Sequence, residues 1–258
     1  MGFRIANFGH LAKFNSSTSS DFLDFYRDYV ESNIKAKSET LPHKAFAPSS
    51  MRCKRRSWFR LRGVEPDQPK SADWTLNFTA EIGTACHAII QRNLKSALGG
   101  HWISVSDYLK KNPVLEDYRL DEGDLETKIE IIKPFPVRFA VDGIIYWKGE
   151  YYLLEIKTSE FASFNELTDP KAHHLDQIKT YASLLHIHKV LVLYQDRQYG
   201  DLKCYEEFIS DATMQAVKDD MQYVMDMVDA NLAPERLPTG DAWCSPSQCQ
   251  YYKRCKEW

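Results

Sequence analysis

The sequence predicts a mixed α/β fold in which one central sheet is flanked by helices. Three segments rich in Ile, Val, Tyr and Phe, at residues 127–133, 137–147 and 151–158, have the composition of consecutive strands. A helical periodicity precedes them at residues 79–98, and another follows at residues 169–187, before a further apolar strand. This order of elements is typical of a sheet with helices packed on it.

The other segments are placed around this unit. Residues 1–50 are expected to form a helical lead-in with Phe22, Tyr26 and Tyr29 at helical spacing, and residues 51–258 the main domain. Residues 101–126 are expected to be an acidic, irregular insertion at the solvated surface. Asp169 and Pro170 are expected to start the helix that follows the three strands. Strands at 189–195 and 202–209 are expected to pair, and Ser210 to cap a final helix.

Composition and charge exclude several classes of protein. The 258 residues are 43% hydrophobic and 27% charged, which is ordinary for a globular protein, and the net charge of −3 disfavours a general DNA coat. The longest apolar runs are too short to span a bilayer, and the first ten residues lack the apolar region of a secretory signal. We therefore expect a cytoplasmic protein, in which six cysteines serve metal binding or chemistry more often than disulfides.

A predicted β-hairpin brings acidic side chains together. If Lys148 and Gly149 form a two-residue turn, Asp142 lies directly opposite Glu155, and Lys157 points to the same face. Two opposed carboxylates repel each other unless a cation lies between them, and a divalent ion with oxygen ligands would relieve that repulsion. The alternative is an exposed hairpin in which Lys157 neutralises Glu155. Apolar residues on both faces of the hairpin favour a central, buried position.

Two carboxylates with a divalent ion and a lysine suit phosphodiester hydrolysis. The ion polarises the phosphate and activates a water molecule, and the lysine orients that water or stabilises the developing negative charge. Asp142 followed after twelve residues by Glu155-Ile156-Lys157 resembles the signature of the PD-(D/E)XK nuclease superfamily. The predicted order of elements resembles the core of that superfamily, a restriction-endonuclease-like fold.

Two further motifs resemble those of the RecB-like branch, which includes the AddB nuclease domain and the CRISPR-associated and phage exonucleases with an iron–sulfur cluster. Gly83 to His87 matches a G-x-x-x-H helix, and Gln177 to Tyr181 matches a Q-x-x-x-Y helix. Either spacing alone is common, and a lone helical histidine is more often a structural residue. The resemblance extends over residues 49–258.

The resemblance implies a role for each of these residues. The expected ligands of Mg²⁺ or Mn²⁺ are His87, Asp142, Glu155 and the backbone carbonyl of Ile156. The expected catalytic residues are Asp142, Glu155 and Lys157, with Gln177 and Tyr181 as helpers near the DNA. Gln91 stands where the branch often has a glutamate, and Val141 where the superfamily often has proline.

Four of the six cysteines resemble the iron–sulfur site of these exonucleases. Cys53 lies far upstream, and Cys244, Cys249 and Cys255 lie within the last fifteen residues. Four thiolates suit a 4Fe-4S cluster that would tether the two ends of the chain, although zinc fits four thiolates equally well. The last three cysteines are spaced C-x4-C-x5-C, whereas the commonest form of the branch has two residues in the first gap.

A basic segment at residues 52–62 carries six Lys or Arg residues and no acid. Basic side chains with interleaved aromatic rings are typical of a groove for single-stranded nucleic acid. The expected DNA-binding residues are Arg52, Lys54, Arg55, Arg56, Trp58 and Arg60. The alternative is a basic helix whose aromatic side chains are simply buried.

These observations predict a metal-dependent DNA exonuclease that acts on single strands or DNA ends, in recombination, repair or phage DNA processing. The alternative is a non-catalytic DNA-end-binding subunit of a recombination or CRISPR adaptation complex. A homo-oligomer is compatible with either function.

Overall fold

The computed structural model describes residues 19–38, 44–67, 74–123, 126–238 and 240–257. The expectations for the N-terminal residues 1–18 fall outside these ranges. Within them, the helices are α1 Ser19–Ser38, α2 Lys54–Leu61, α3 Trp74–Leu98, α4 Val105–Lys111, α5 Phe161–Asn165, α6 Ala172–Leu185, α7 Asp211–Asp229 and α8 Arg254–Glu257. The strands are β1 Trp102–Ile103, β2 Asp117–Glu122, β3 Thr127–Lys133, β4 Val137–Val141, β5 Gly143–Trp147, β6 Glu150–Ser159, β7 Lys189–Asp196 and β8 Leu202–Phe208.

The fold is mixed α/β, with a five-stranded sheet in the order β1-β5-β6-β7-β8. Strands β6 and β7 are parallel and are connected through α5 and α6, whereas the other neighbours are antiparallel. Strand β6 therefore lies at the centre of the sheet, and its residues 153–156 are all buried. This placement agrees with the expectation of a central hairpin, because a strand paired on both edges and covered by helices is excluded from solvent.

The strands do not all belong to one sheet, which corrects the predicted single sheet. Strands β2, β3 and β4 form a separate antiparallel sheet, and the predicted strand at 137–147 is divided at Asp142 between the two sheets. Asp142 belongs to neither ladder, and its carboxylate accepts a hydrogen bond from the backbone N–H of Ile156 on β6, at 2.7 Å. The chain thus passes from the small sheet to the large one at this residue.

Residues 101–126 are more regular than predicted. They contain β1, α4 and β2, with α4 capped by Ser104, whose hydroxyl accepts from the N–H of Asp107 at 3.0 Å. In β2, Tyr118 and Leu120 pack against the core while intervening charged residues face solvent. The high charge of this segment obscured a strand whose two apolar side chains are partly buried.

Helix boundaries differ from the prediction at two places. Helix α3 begins at Trp74 rather than near residue 79. Helix α6 begins at Ala172 rather than at Asp169-Pro170, because the N–H of Lys171 donates to the Tyr194 hydroxyl at 3.1 Å and Lys171 remains extended. The predicted cap of α7 is confirmed, since the Ser210 hydroxyl accepts from the N–H of Thr213.

Most of residues 45–50 are buried against the core rather than forming a separate lead-in. Phe46 is 0% exposed and forms a parallel bridge to Val137, with its N–H donating to the Pro136 carbonyl at 2.7 Å. The predicted boundary at residue 50 therefore lies inside the core. On α1 the aromatic face remains accessible, with Phe22 68% exposed. No helix in the described part of the chain has the length and apolar character needed to cross a membrane.

Candidate active site

The β5–β6 hairpin forms in the predicted register. Lys148 and Gly149 both adopt positive φ values, of 50° and 89°. The two-residue turn that matches the right-handed twist of its strands requires positive φ at both residues. The pairing runs from Trp147 opposite Glu150 to Gly143 opposite Leu154. Ladder pairing ends there, so the predicted direct pairing of Asp142 with Glu155 is not part of the ladder. The Asp142 carboxylate instead contacts the backbone N–H of Ile156, the next residue of β6.

Asp142 is held by three groups from two elements. Its Oδ2 accepts from the N–H of Ile156 at 2.7 Å, and its Oδ1 lies 3.2 Å from Nδ1 of His87 on α3. Its backbone carbonyl accepts from Nε2 of Gln91 at 2.8 Å, one helical turn after His87. The predicted neighbours His87 and Asp142 are therefore in contact, and Gln91 positions the aspartate backbone.

The close approach of α3 to the sheet depends on a glycine. A Cβ atom at Gly83, one turn before His87, would lie 3.3 Å from Oγ1 of Thr158 on β6. That separation is tighter than ordinary van der Waals contact, so a side chain at residue 83 would require the Thr158 hydroxyl or the helix to shift by a few tenths of an ångström. The glycine of the G-x-x-x-H motif thus lets α3 approach β6 without that shift, one turn before the histidine that contacts Asp142.

Strand β6 supplies the other two charged groups. Glu155 is 3% exposed, and its Oε1 lies 2.5 Å from Nζ of Lys157. Nζ of Lys157 also donates to Oε1 of Gln177 at 3.0 Å, and Nε2 of Gln177 donates to the Tyr181 hydroxyl at 2.6 Å. The structure thus joins Glu155, Lys157, Gln177 and Tyr181 in one continuous hydrogen-bonded chain.

Glu126 is a member of this site that the sequence analysis missed. One potential ligand atom from each of His87, Glu126 and Asp142 lies within 4.8 Å of the others. Glu126 immediately precedes β3, and the β3–β4 register pairs Thr127 with Val141. Extending that register by one residue places Glu126 opposite Asp142. The sequence predicted both strands but not the register between them, so Glu126 was assigned to the acidic surface.

Burial and mutual repulsion govern the ionisation of the site. Burial, together with the charge of Asp142, raises the pKa of Glu155 to about 7, even though Lys157 opposes the shift. Burial alone would lower the pKa of His87, but its bond to Asp142 and the charges of Asp142 and Glu155 raise it overall. Three carboxylates with one lysine and one histidine form a site that favours a divalent cation.

The basic segment lies mainly inside the molecule, which corrects the predicted base-stacking role of Trp58. This side chain is 0% exposed, and its indole N–H donates to the Met227 carbonyl at 3.1 Å. Arg55 is buried and donates to the carbonyls of Pro234 and Cys255. Trp58 packs in the core because α2 lies between α7 and the C-terminal segment. The structure corresponds to the alternative of a basic helix with buried aromatic rings.

The other basic residues of this segment have protein partners. Arg52 forms ion pairs with Asp176 and Asp241, at 3.5 and 3.1 Å, and Lys54 pairs with Asp220 at 2.6 Å. Arg60 donates to the Ala45 carbonyl at 3.3 Å. Arg56 faces the cavity that the C-terminal cysteines line. None of these contacts identifies a nucleic-acid groove.

The four predicted cysteines line one cavity. Cys53 immediately precedes α2, and the C-terminal segment contributes Cys244, Cys249 and Cys255 to the same cavity. Burial raises the pKa of the Cys53 and Cys249 thiols, and Arg55 Nη1 lies 3.8 Å from Sγ of Cys255. Cys204, by contrast, is exposed on β8.

Comparisons with solved structures identify the fold. The chain aligns with SSO0001, a protein of known crystal structure, over 92% of this chain and 98% of SSO0001, with 16% identity and a TM-score of 0.53. At this identity the similarity shows the fold alone.

A looser similarity exists to LHK-Exo, an alkaline exonuclease from Laribacter hongkongensis. It extends over 74% of this chain and 90% of LHK-Exo, with 11% identity and a TM-score of 0.45. The complex of LHK-Exo with dAMP gives 13% identity and the same TM-score, which is too low to support an argument about activity. No protein-family model matches the sequence, and no curated protein matches it.

Proposed function

We propose that the protein is a metal-dependent DNA exonuclease of the RecB-like branch of the PD-(D/E)XK superfamily. The observation that carries this proposal is the convergence of Asp142, Glu155 and Lys157 with His87 at the end of a central β-hairpin. Burying carboxylates side by side is unfavourable, so such a group is retained where a cation and an anionic substrate use it.

The donor set fits Mg²⁺ or Mn²⁺. Carboxylate oxygens of Asp142 and Glu126 and a nitrogen of His87 lie within 4.8 Å of one another and would hold the ion. Glu155, whose carboxylate pairs with Lys157, and the carbonyl of Ile156 would complete the set that the family resemblance implies. The histidine nitrogen extends the preference toward Mn²⁺, because imidazole suits transition metals better than magnesium. When bound, the ion supplies Lewis-acid activation of the phosphate and of the attacking water.

The protein side chains orient and stabilise the reacting groups. Glu155 and Gln177 fix the ammonium group of Lys157, and Tyr181 fixes Gln177, so the lysine is held in one position before substrate arrives. Lys157 then orients the attacking water and stabilises negative charge that develops on the phosphate oxygens. Gln91 and the N–H of Ile156 hold Asp142 in place from both sides.

DNA single strands or ends are the proposed substrate, and recombination, repair or phage DNA processing in the cytoplasm is the proposed setting. Support for this substrate comes from the D-x12-E-I-K, G-x-x-x-H and Q-x-x-x-Y motifs. The hydrogen bonds among Lys157, Gln177 and Tyr181 support it further, since they join two of these motifs in one site.

Digestion of DNA labelled at either end, with Mg²⁺ and Mn²⁺ compared, tests the proposed activity. Wild-type protein is expected to release short products from an end, and Lys157→Ala is expected to lose cleavage by at least 100-fold, the usual order of magnitude for a group that stabilises a transition state. The exposed Lys111→Ala serves as a matched control that removes a lysine elsewhere.

Binding assays in Ca²⁺ separate catalysis from folding, since Lys157→Ala is expected to retain DNA binding and cooperative thermal unfolding. Undiminished metal-dependent cleavage by this variant would overturn the mechanism. Wild-type protein that binds DNA ends but cleaves none would instead be the non-catalytic end-binding subunit.

We propose further that Cys53, Cys244, Cys249 and Cys255 bind a 4Fe-4S cluster. Their common cavity and the nearby Arg55 favour an anionic group held by thiolates. Zinc fits four thiolates equally well. The choice of a cluster is supported by the resemblance of these four cysteines to those of the iron–sulfur exonucleases.

A further inference from the structure

A second group of potential metal ligands lies away from the proposed active site. Ligand atoms of His186, His188 and Asp211 lie within 4.8 Å of one another. His188 immediately precedes β7, whose first residue pairs with Tyr152 of β6. Glu155 lies three residues further along β6, or about 10 Å along the strand. The two groups of ligands are therefore separate.

The tautomer of His188 is determined by its surroundings. Nδ1 of His188 lies 2.8 Å from the carbonyl oxygen of Ile209, and a carbonyl can only accept, so Nδ1 carries the hydrogen. The imidazole ring also stacks on Phe208, with centroids 5.7 Å apart and planes at 16°. A histidine that donates its other N–H to a backbone carbonyl has the arrangement typical of a metal ligand.

The free nitrogen of His188 faces a carboxylate. Nε2 lies 3.7 Å from Oδ1 of Asp211, beyond ordinary hydrogen-bond distance. In the neutral imidazole both atoms are acceptors, so a cation between them would satisfy both. Two ligand atoms on one tetrahedral zinc lie about 3.4 Å apart, which small rotations of these side chains would achieve.

His186 completes the group from an unusual backbone position. It caps the C-terminus of α6 with φ 51° and ψ 48°, a left-handed conformation for which glycine or asparagine is preferred. The Tyr108 hydroxyl, bonded to the Leu185 carbonyl at 2.8 Å, anchors this end of the helix. The rings of His186 and His188 lie 5.1 Å apart between centroids.

We propose that His186, His188 and Asp211 bind Zn²⁺, with water completing the coordination. Two imidazole nitrogens and one carboxylate favour a borderline transition metal, whereas Mg²⁺ and Ca²⁺ prefer oxygen ligands alone. The ion links the end of α6 to the start of α7, two helices that pack against each other. This site is independent of the proposed nuclease activity.

Zinc binding by the full-length protein tests this proposal. His186→Gly preserves the left-handed cap, and Asp211→Asn preserves the shape of the side chain, so both variants are expected to fold. Each is expected to bind one equivalent of Zn²⁺ fewer than wild type in calorimetric titrations, whatever zinc the cysteines or the active site take up. The control His101→Ala removes an exposed histidine outside the group and is expected to bind as wild type does.

Diffraction data collected at the zinc absorption edge from a zinc-soaked crystal locate the ion. An anomalous peak among His186, His188 and Asp211 is expected in wild type and absent in His186→Gly, while DNA cleavage with Mn²⁺ stays within twofold of wild type in both variants. Equal zinc stoichiometry in wild type and both variants would overturn the proposal, as would the absence of that peak.

Discussion

At the scale of single residues, the site depends on how Asp142 is held. Its carboxylate contacts His87 and the N–H of Ile156, and its carbonyl accepts from Gln91. These contacts place one carboxylate between a helix and a strand that meet only in the folded chain. The same enclosure removes water from Glu155, and the cost of burying its charge raises its pKa to about 7.

The pKa of Glu155 predicts how the metal-free protein responds to pH. The folded state binds this proton more tightly than the unfolded chain, where the pKa is about 4.5. The stabilising contribution is therefore complete below the unfolded pKa and is lost as pH rises through about 7. His87, whose pKa is also raised, contributes with the same sign. Urea unfolding in EDTA at a series of pH values is expected to show this decline.

The variant Glu155→Gln has no titratable carboxyl group at this position. Its free energy of unfolding is therefore expected to vary less with pH, between about 4.5 and 7, than that of wild type. Glu160→Gln, which changes an exposed glutamate five residues away, is expected to vary as wild type does. Added Mn²⁺ is expected to reverse the trend in wild type, because a cation binds the deprotonated carboxylate. Identical pH dependence of the free energy of unfolding in wild type and Glu155→Gln would contradict the raised pKa of Glu155.

At the scale of elements, the proposed site rests on the junction between the two sheets. Strand β4 ends at Val141 in the small sheet, and β5 begins at Gly143 in the large one. The ring of Trp102 on β1 packs directly over Gly143, where a Cβ atom would lie 2.6 Å from Cη2 of the indole. The junction therefore has no space for a side chain next to Asp142.

Gly143→Ala is expected to lower the free energy of unfolding by about 1–3 kcal/mol, the usual cost of inserting an atom into a packed interior. Because Asp142 is the adjacent residue, DNA cleavage is expected to fall as well. Urea denaturation measures the first effect, and the control Gly100→Ala, which meets no atom within 4 Å, is expected to change stability little. Equal stability of Gly143→Ala and wild type would show that Trp102 moves without cost.

At the scale of the whole molecule, the C-terminal segment packs against residues 59–67. The N–H of Asp67 donates to the Gln250 carbonyl at 2.8 Å, and the N–H of Arg254 donates to the Asp67 carboxylate at 2.9 Å. Phe59 stacks on Tyr251, with ring centroids 5.1 Å apart. The cysteine cavity lies at this contact, so a bound cluster would stabilise contacts between segments far apart in sequence.

Cys249→Ser is expected to remove iron and sulfide from anaerobically purified protein, bleach its brown colour and lower the midpoint of thermal unfolding. The loss of one thiolate would remove a ligand of the proposed cluster, and Cys53 and the C-terminal segment would then lose their common ligand. Cys204→Ser changes an exposed cysteine outside the cavity and is expected to keep wild-type iron content. Colourless wild-type protein that contains one zinc per chain would contradict the proposed cluster and would indicate a zinc site instead.

The sequence by itself determined the features that depend on local geometry. A two-residue turn fixes the register of its own strands, so the β5–β6 hairpin and the shared face of Glu155 and Lys157 could be predicted. The helical spacing of Gln177 and Tyr181 predicted that they share a face, and the structure adds the hydrogen bond between them.

Only the tertiary structure decided the features that depend on distant segments. Glu126 joins the site because the small sheet ends beside Asp142, and Trp58 is buried because α7 and the C-terminal segment cover α2. Composition cannot distinguish a buried basic helix from an exposed one, since that depends on which surfaces pack against it. Local patterns specify turns, faces and periods, whereas burial and the meeting of separate elements follow from packing of the whole chain.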